Sequence, residues 1–165
     1  MGKKIFTIFL VAVIAVLALG SFAFATDEPY DTQNFGGSFN MTVHLGEVYV
    51  PSQSNGSLGS VCEYINNNSD GNFRKGDINI YYYNESVLAD NETDVLEHAL
   101  GDLTTTYSYQ INQNDDLIIL QNDKEMCGIP FFLVGKTNGN EVVFLGGENM
   151  NELTQYANSI KFSNT

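Results

Sequence analysis

Along residues 39–45, Phe39, Met41, Val43 and Leu45 alternate with Asn40, Thr42 and His44, the two-residue period of a half-buried strand. Residues 47–50 are expected to pair beside it, with Pro51 ending the run. Residues 61–65 and 78–83 read as two further strands, the second with Ile78, Ile80 and Tyr82 on one face. The polar connection between them makes the pair a hairpin. Residues 91–100 then switch to a helical pattern. Asn91 stands as cap, Val95, Leu96, Ala99 and Leu100 form the apolar stripe, and Gly101 follows as a stop. Tyr107, Tyr109 and Ile111 alternate on the next strand, and residues 112–116 turn it into Leu117-Ile118-Ile119-Leu120.

Residues 129–134 and 141–145 join across Lys136-Thr137-Asn138-Gly139, a strong hairpin signal. Their unbroken apolar runs predict central strands covered on both faces. Leu153, Tyr156, Ala157 and Ile160 fall on one helical face, with Asn149 and Glu152 spaced as a capping pair. The whole predicts an α+β fold: a mainly antiparallel sheet packed by one inserted helix and one C-terminal helix.

Ahead of this body lies a greasy leader. Lys3-Lys4, an apolar run to Gly20 and the ending Ala23-Phe24-Ala25 are the three parts of a secretory signal. The 21 residues from 5 to 25 are also long enough for a retained anchor. Both readings place the body outside the cytoplasmic membrane, secreted or tethered to its outer face, with Lys3 and Lys4 held inside. The expected organisation is a signal or anchor at 1–25, a flexible linker at 26–37 and a single domain at 38–165.

Charge narrows the partners. The chain has 20 acids and 7 bases, a formal charge of −13. Residues 26–165 hold all the acids and 5 of the bases, giving −15. Such a body lacks the Lys and Arg needed to displace counterions from nucleic acid. It also excludes a polybasic membrane-surface module, leaving the N-terminal segment as the membrane contact if it is uncleaved.

Two cysteines, Cys62 and Cys127, predict one disulfide in an exported chain. A 66-residue loop closed this way would gain about 4 kcal/mol in the chain-entropy picture. The alternative is a pair of buried free thiols. Five Asn-x-Ser/Thr triplets, beginning at Asn40, Asn55, Asn67, Asn84 and Asn91, are glycosylation acceptors if the host attaches sugars there.

Residues 66–77 are the segment with the most metal-like spacing. Asn66, Asn68, Asp70, Gly71 and Asp77 fall at positions 1, 3, 5, 6 and 12 of a calcium loop, resembling those of EF-hand and dockerin modules. Asn at position 1, Asp77 in place of the longer Glu of an EF-hand, and Arg74 with Lys75 inside the ring all weaken the cation affinity such a loop would have. The alternative is a polar hairpin connection. No nucleophile–base–orienter set can be assembled from Cys62, Cys127, His44 and His98, so no catalytic residue and no cofactor are expected. The Tyr81-Tyr82-Tyr83 run offers either an exposed aromatic face or cross-strand packing.

The carboxyl end carries a resemblance. Residues 129–135, the turn at Asn138-Gly139, residues 141–147, then Met150-Asn151-Glu152-Leu153 and the ending Ala157-Asn158-Ser159-Ile160-Lys161-Phe162 are similar to small exported proteins of methanogenic archaea. The opening Phe39-x-Met-x-Val matches their first strand, with His44 where they customarily have Pro. Those proteins resemble the PsbP-like α/β/α sandwich, whose members act as accessory subunits or binding modules outside a membrane. The resemblance implies fold and location, and carries over no catalytic residue. Together these readings point to a non-enzymatic exported domain of an archaeal cell envelope, binding an envelope protein or surface ligand. A low-affinity calcium-binding surface protein using residues 66–77 is one alternative, and a hydrolase or thiol enzyme is another.

Overall fold

The computed structural model describes residues 30–52, 60–66, 78–104, 109–114, 117–122 and 131–163, with only the backbone for 109–114 and 122. The leader, Cys127, Tyr107 and most of the 66–77 loop lie outside the described residues. Among the described residues the fold is α+β, with two mainly antiparallel sheets and two helices.

Strands β1 (Tyr30–Phe35) and β2 (Phe39–His44) form a hairpin, and the short β10 (Lys161–Phe162) pairs on the other side of β2. The larger sheet uses β3 (Tyr49–Pro51), β4 (Cys62–Asn66), β5 (Asn79–Asn84), β6 (Tyr109–Asn114), β7 (Leu117–Asn122), β8 (Phe132–Thr137) and β9 (Glu141–Gly147). Its order is β3-β4-β5-β9-β8-β7-β6, with every neighbour antiparallel. Helix α1 (Val95–Thr104) follows β5, and α2 (Met150–Ser159) follows β9.

Alternation along the central strands creates two cores. Ile80, Tyr82, Val134, Val143 and Leu145 face the small sheet and α2, meeting Phe35, Phe39, Met41, Leu153, Tyr156 and Ala157. Tyr81, Tyr83, Leu133, Val142 and Phe144 face the other way, under Val95, Ala99 and Leu103 of α1. Strand β9 is buried along its full length because both its faces are covered, as its unbroken apolar run predicts. The same geometry buries all three tyrosines of the 81–83 run, so they pack across strands instead of forming an exposed aromatic face.

The structure differs from the sequence expectations in five places. Within the 26–37 linker, residues 30–35 form β1, paired along its length with β2. Its polar composition reflects an edge strand whose outer face is solvated. Gln33 gives it a second anchor: its amide donates to the Tyr49 carbonyl and accepts from the Tyr49 N–H at 3.0 Å, linking the two sheets. Strand β3 pairs with β4 and not with β2, because the chain turns out of the small sheet at Gly46, where φ is +93°. Leu45, at that turn, is therefore 61% exposed and takes no part in the strand's buried phase.

Helix α1 is displaced relative to its sequence signals. Asp94 caps it, accepting from the N–H groups of Leu96 at 2.8 Å and Glu97 at 3.1 Å, where Asn91 is the expected cap. The helix also runs through Gly101 to Thr104, since Leu103 extends the buried 95–99 stripe by one more turn. For α2 the expected cap holds: Asn149 Oδ1 accepts from the Glu152 N–H at 3.4 Å.

Candidate functional site

Three connections converge at one end of the sandwich. They are the β1–β2 turn (Gly36, Gly37, Ser38), the exit of β5 (Tyr82, Asn84, Glu85) and the β8–β9 turn (Asn138, Asn140, Glu141). Between them lies a polar cleft of about 490 Å³, a size typical of small-ligand sites.

Each wall has a local cause. Gly36 and Gly37 adopt φ of +62° and +82°, a left-handed pair that closes the first turn tightly. The Gly37 N–H donates to Asn34 Oδ1 at 2.9 Å. In the β8–β9 turn, Asn138 Oδ1 accepts from the N–H groups of Asn140 at 3.1 Å and Glu141 at 2.9 Å. Gly139, with φ of +97°, completes the reversal. Asn84 ends β5 by accepting from the Ser86 N–H at 2.9 Å, which caps the short 3₁₀ turn Glu85–Val87.

At the base sits Glu141, only 5% exposed. The Tyr82 hydroxyl donates to its Oε1, and Asn138 Nδ2 donates to its Oε2 at 3.2 Å. Asn84 Nδ2 in turn donates to the Tyr82 hydroxyl at 3.3 Å. Burial, and then the carboxylate it serves, hold the Tyr82 phenol above its ordinary range. Chemically the cleft offers amides, a phenol held in its neutral form and two carboxylates, Glu141 and the exposed Glu85. Such groups hold and orient a ligand.

Two other polar clusters tie elements together. Glu47 Oε2 accepts from the hydroxyls of Tyr156 at 2.7 Å and Tyr49 at 3.3 Å, joining α2 to the strand edges. Tyr156 also accepts from the His44 N–H at 3.1 Å. His44 stacks on Tyr30 with ring centroids 4.6 Å apart, and its Nε2 lies 3.5 Å from Glu152 Oε1. His98, on α1, has Nδ1 2.8 Å from Glu92 Oε2 and Nε2 3.4 Å from Asp102 Oδ2. Hydrogen bonding from the Ala89 N–H, and then from His98, keeps the Glu92 carboxyl below its usual range.

Glu152 gives a pH prediction. Desolvation raises its pKa, with His44 opposing and Glu47 and Glu148 reinforcing the shift. The folded state thus binds this proton more tightly than the unfolded chain. Its stabilising contribution is complete below the unfolded value of about 4.3 and is lost as pH rises through the folded value. Relative to a Glu152→Gln variant, the wild type should gain stability as the pH is lowered from 7 towards the unfolded value, measured as the difference in urea midpoints. A difference that grows against the wild type on acidification would contradict this.

The described residues among those singled out from sequence lie on several different elements. Asn66 is half-buried on β4, opposite Tyr49. Asn68, Asp70 and Asp77 lie outside the described residues. Among the described residues no group of three or more His, Cys, Asp or Glu could hold a metal ion. Cys62, half-buried opposite Tyr82, is a free thiol among the described residues, and its expected partner Cys127 lies outside them. Of the candidate glycosylation acceptors, Asn91 is exposed in the turn before α1. Asn40 accepts from Asn34 Nδ2 at 2.9 Å, and Asn84 is engaged at the cleft. Asn55 and Asn67 fall outside the described residues. Among the described residues, which do not include the leader, no helix is long and apolar enough to cross a membrane.

Sequence reasoning missed the cleft. Its turn was legible at Asn138-Gly139, and one further signal was present: Glu141 opens an otherwise wholly apolar strand. Compared with known proteins, the chain matches no protein-family model and no curated protein.

Proposed function

We propose that this chain is a non-enzymatic exported module of the cell envelope of an archaeon, acting as a binding or accessory subunit whose ligand sits in the cleft over Glu141. The observation that carries the reading is a carboxylate buried at the floor of a polar cleft, held in place by Tyr82 and Asn138. A strand that needed only to pack would spend that position on an apolar residue, since burying a carboxylate is costly. The leader and the acidic body support export. Helix α2 leading directly into the short β10 supports the PsbP-like sandwich, and export supports a Cys62–Cys127 bridge.

The test begins with protein purified from its host. Intact mass should report cleavage after Ala25, or an intact leader in the membrane fraction, together with two oxidised sulfurs. A component of the extracytoplasmic fraction should then displace the amide signals of Gly36, Gly37 and Asn140. Recovery from the cytosol with reduced sulfurs, or displacement confined to other surfaces, would overturn the reading. So would turnover of a defined substrate that is abolished by one substitution.

A further inference from the structure

From the chemistry of the cleft we infer that its ligand is an organic cation, a primary ammonium or guanidinium group seated over Glu141. This rests on the cleft being the binding site and names what it takes. Buried charges in proteins are ordinarily paired or ligate metals. Glu141 is held by two neutral donors, the Tyr82 phenol and the Asn138 amide, and forms no ion pair with any described Lys, Arg or His. Among the described residues the cleft lining contains a second carboxylate, Glu85, and no basic side chain. An anion would therefore meet like charge on entering, whereas an ammonium or guanidinium would supply the missing countercharge through charge-assisted hydrogen bonds.

The acceptors also suit a multi-donor cation. Each carboxylate oxygen of Glu141 accepts one hydrogen bond within the protein and has capacity for another. Asn84 and Asn140 stand at the wall of the cleft and add amide groups. The volume of about 490 Å³ accommodates an alkyl chain behind the charged head and far exceeds what a bare ion fills. The cation can belong to a free polyamine or to a Lys or Arg side chain of a protein.

The full chain is titrated with spermidine, with a blocked Gly-Lys-Gly peptide and with its ε-acetylated counterpart, while amide signals and Kd are followed. Spermidine or the lysine peptide should displace the signals of Gly36, Gly37 and Asn140, and the acetylated peptide should bind at least tenfold more weakly. The better ligand of the two identifies the source as small molecule or protein. Glu141→Gln keeps an acceptor for Tyr82 and should weaken binding at least tenfold. Asn140→Lys, at an exposed turn position, places a fixed cation at the mouth and should do the same even if the first variant fails to fold. Equal binding of the acetylated peptide, unchanged Kd in Asn140→Lys, or the same displacement by calcium alone would each overturn the inference. If an envelope component displaces the cleft signals and neither cation does, the cationic ligand falls and the binding reading stands.

Discussion

Replacing Leu153 by alanine should cost about 2–5 kcal/mol of folding stability. Leu153 is fully buried on α2, in the core shared by the small sheet and the large one. The helix touches β2, β8 and β9, so the cavity opens where three elements from both sheets meet. Little relaxation is available there, because the neighbouring Tyr156 is fixed by its hydrogen bond to Glu47. Urea unfolding should show a lower midpoint at unchanged slope. Met150→Ala, at a 39% exposed position one turn earlier, should stay within about 0.5 kcal/mol of wild type. A Leu153→Ala variant as stable as Met150→Ala would mean that α2 does not carry the core.

Gly135→Ala should destabilise by about 1–3 kcal/mol through overpacking. Gly135 on β8 lies opposite Phe144 on β9, and a Cβ there would stand 2.6 Å and 2.8 Å from two carbons of that ring. Here the phenyl ring occupies the space a side chain on Gly135 would take, so the glycine is required by close approach and not by its backbone angles. The cost should fall by more than half in a Phe144→Leu background, giving a coupling that a double-mutant cycle resolves. Additive effects would show that the ring moves aside at no cost.

How far the sequence carried depended on whether a residue's role was decided locally. Strands β2, β5 and β9 and helix α2 were legible, since periodicity and an Asn149–Glu152 cap are written within a few residues. Strand β1 was not: its exposed residues look like a tether, and only pairing with β2 and the Gln33–Tyr49 link make it a strand. Gly101 misled for a related reason, because burial of Leu103 outweighed the modest cost of a glycine inside a helix. The cleft was hidden more deeply. Glu141 acquires its role from Tyr82, 59 positions away, and from the β1–β2 turn, further still. No window of local sequence brings those three together.

The placement of β10 has a consequence for assembly. Lys161 and Phe162 pair with Asn40 and Phe39, so the last strand completes a sheet begun by the first two. Lys136 Nζ fastens the approach, donating to the carbonyls of Asn158 at 3.2 Å and Ile160 at 3.1 Å. An isolated hairpin is marginal in water, and contacts of such long sequence separation form slowly. The β1–β2 hairpin therefore waits for a strand far along the chain before its sheet is complete.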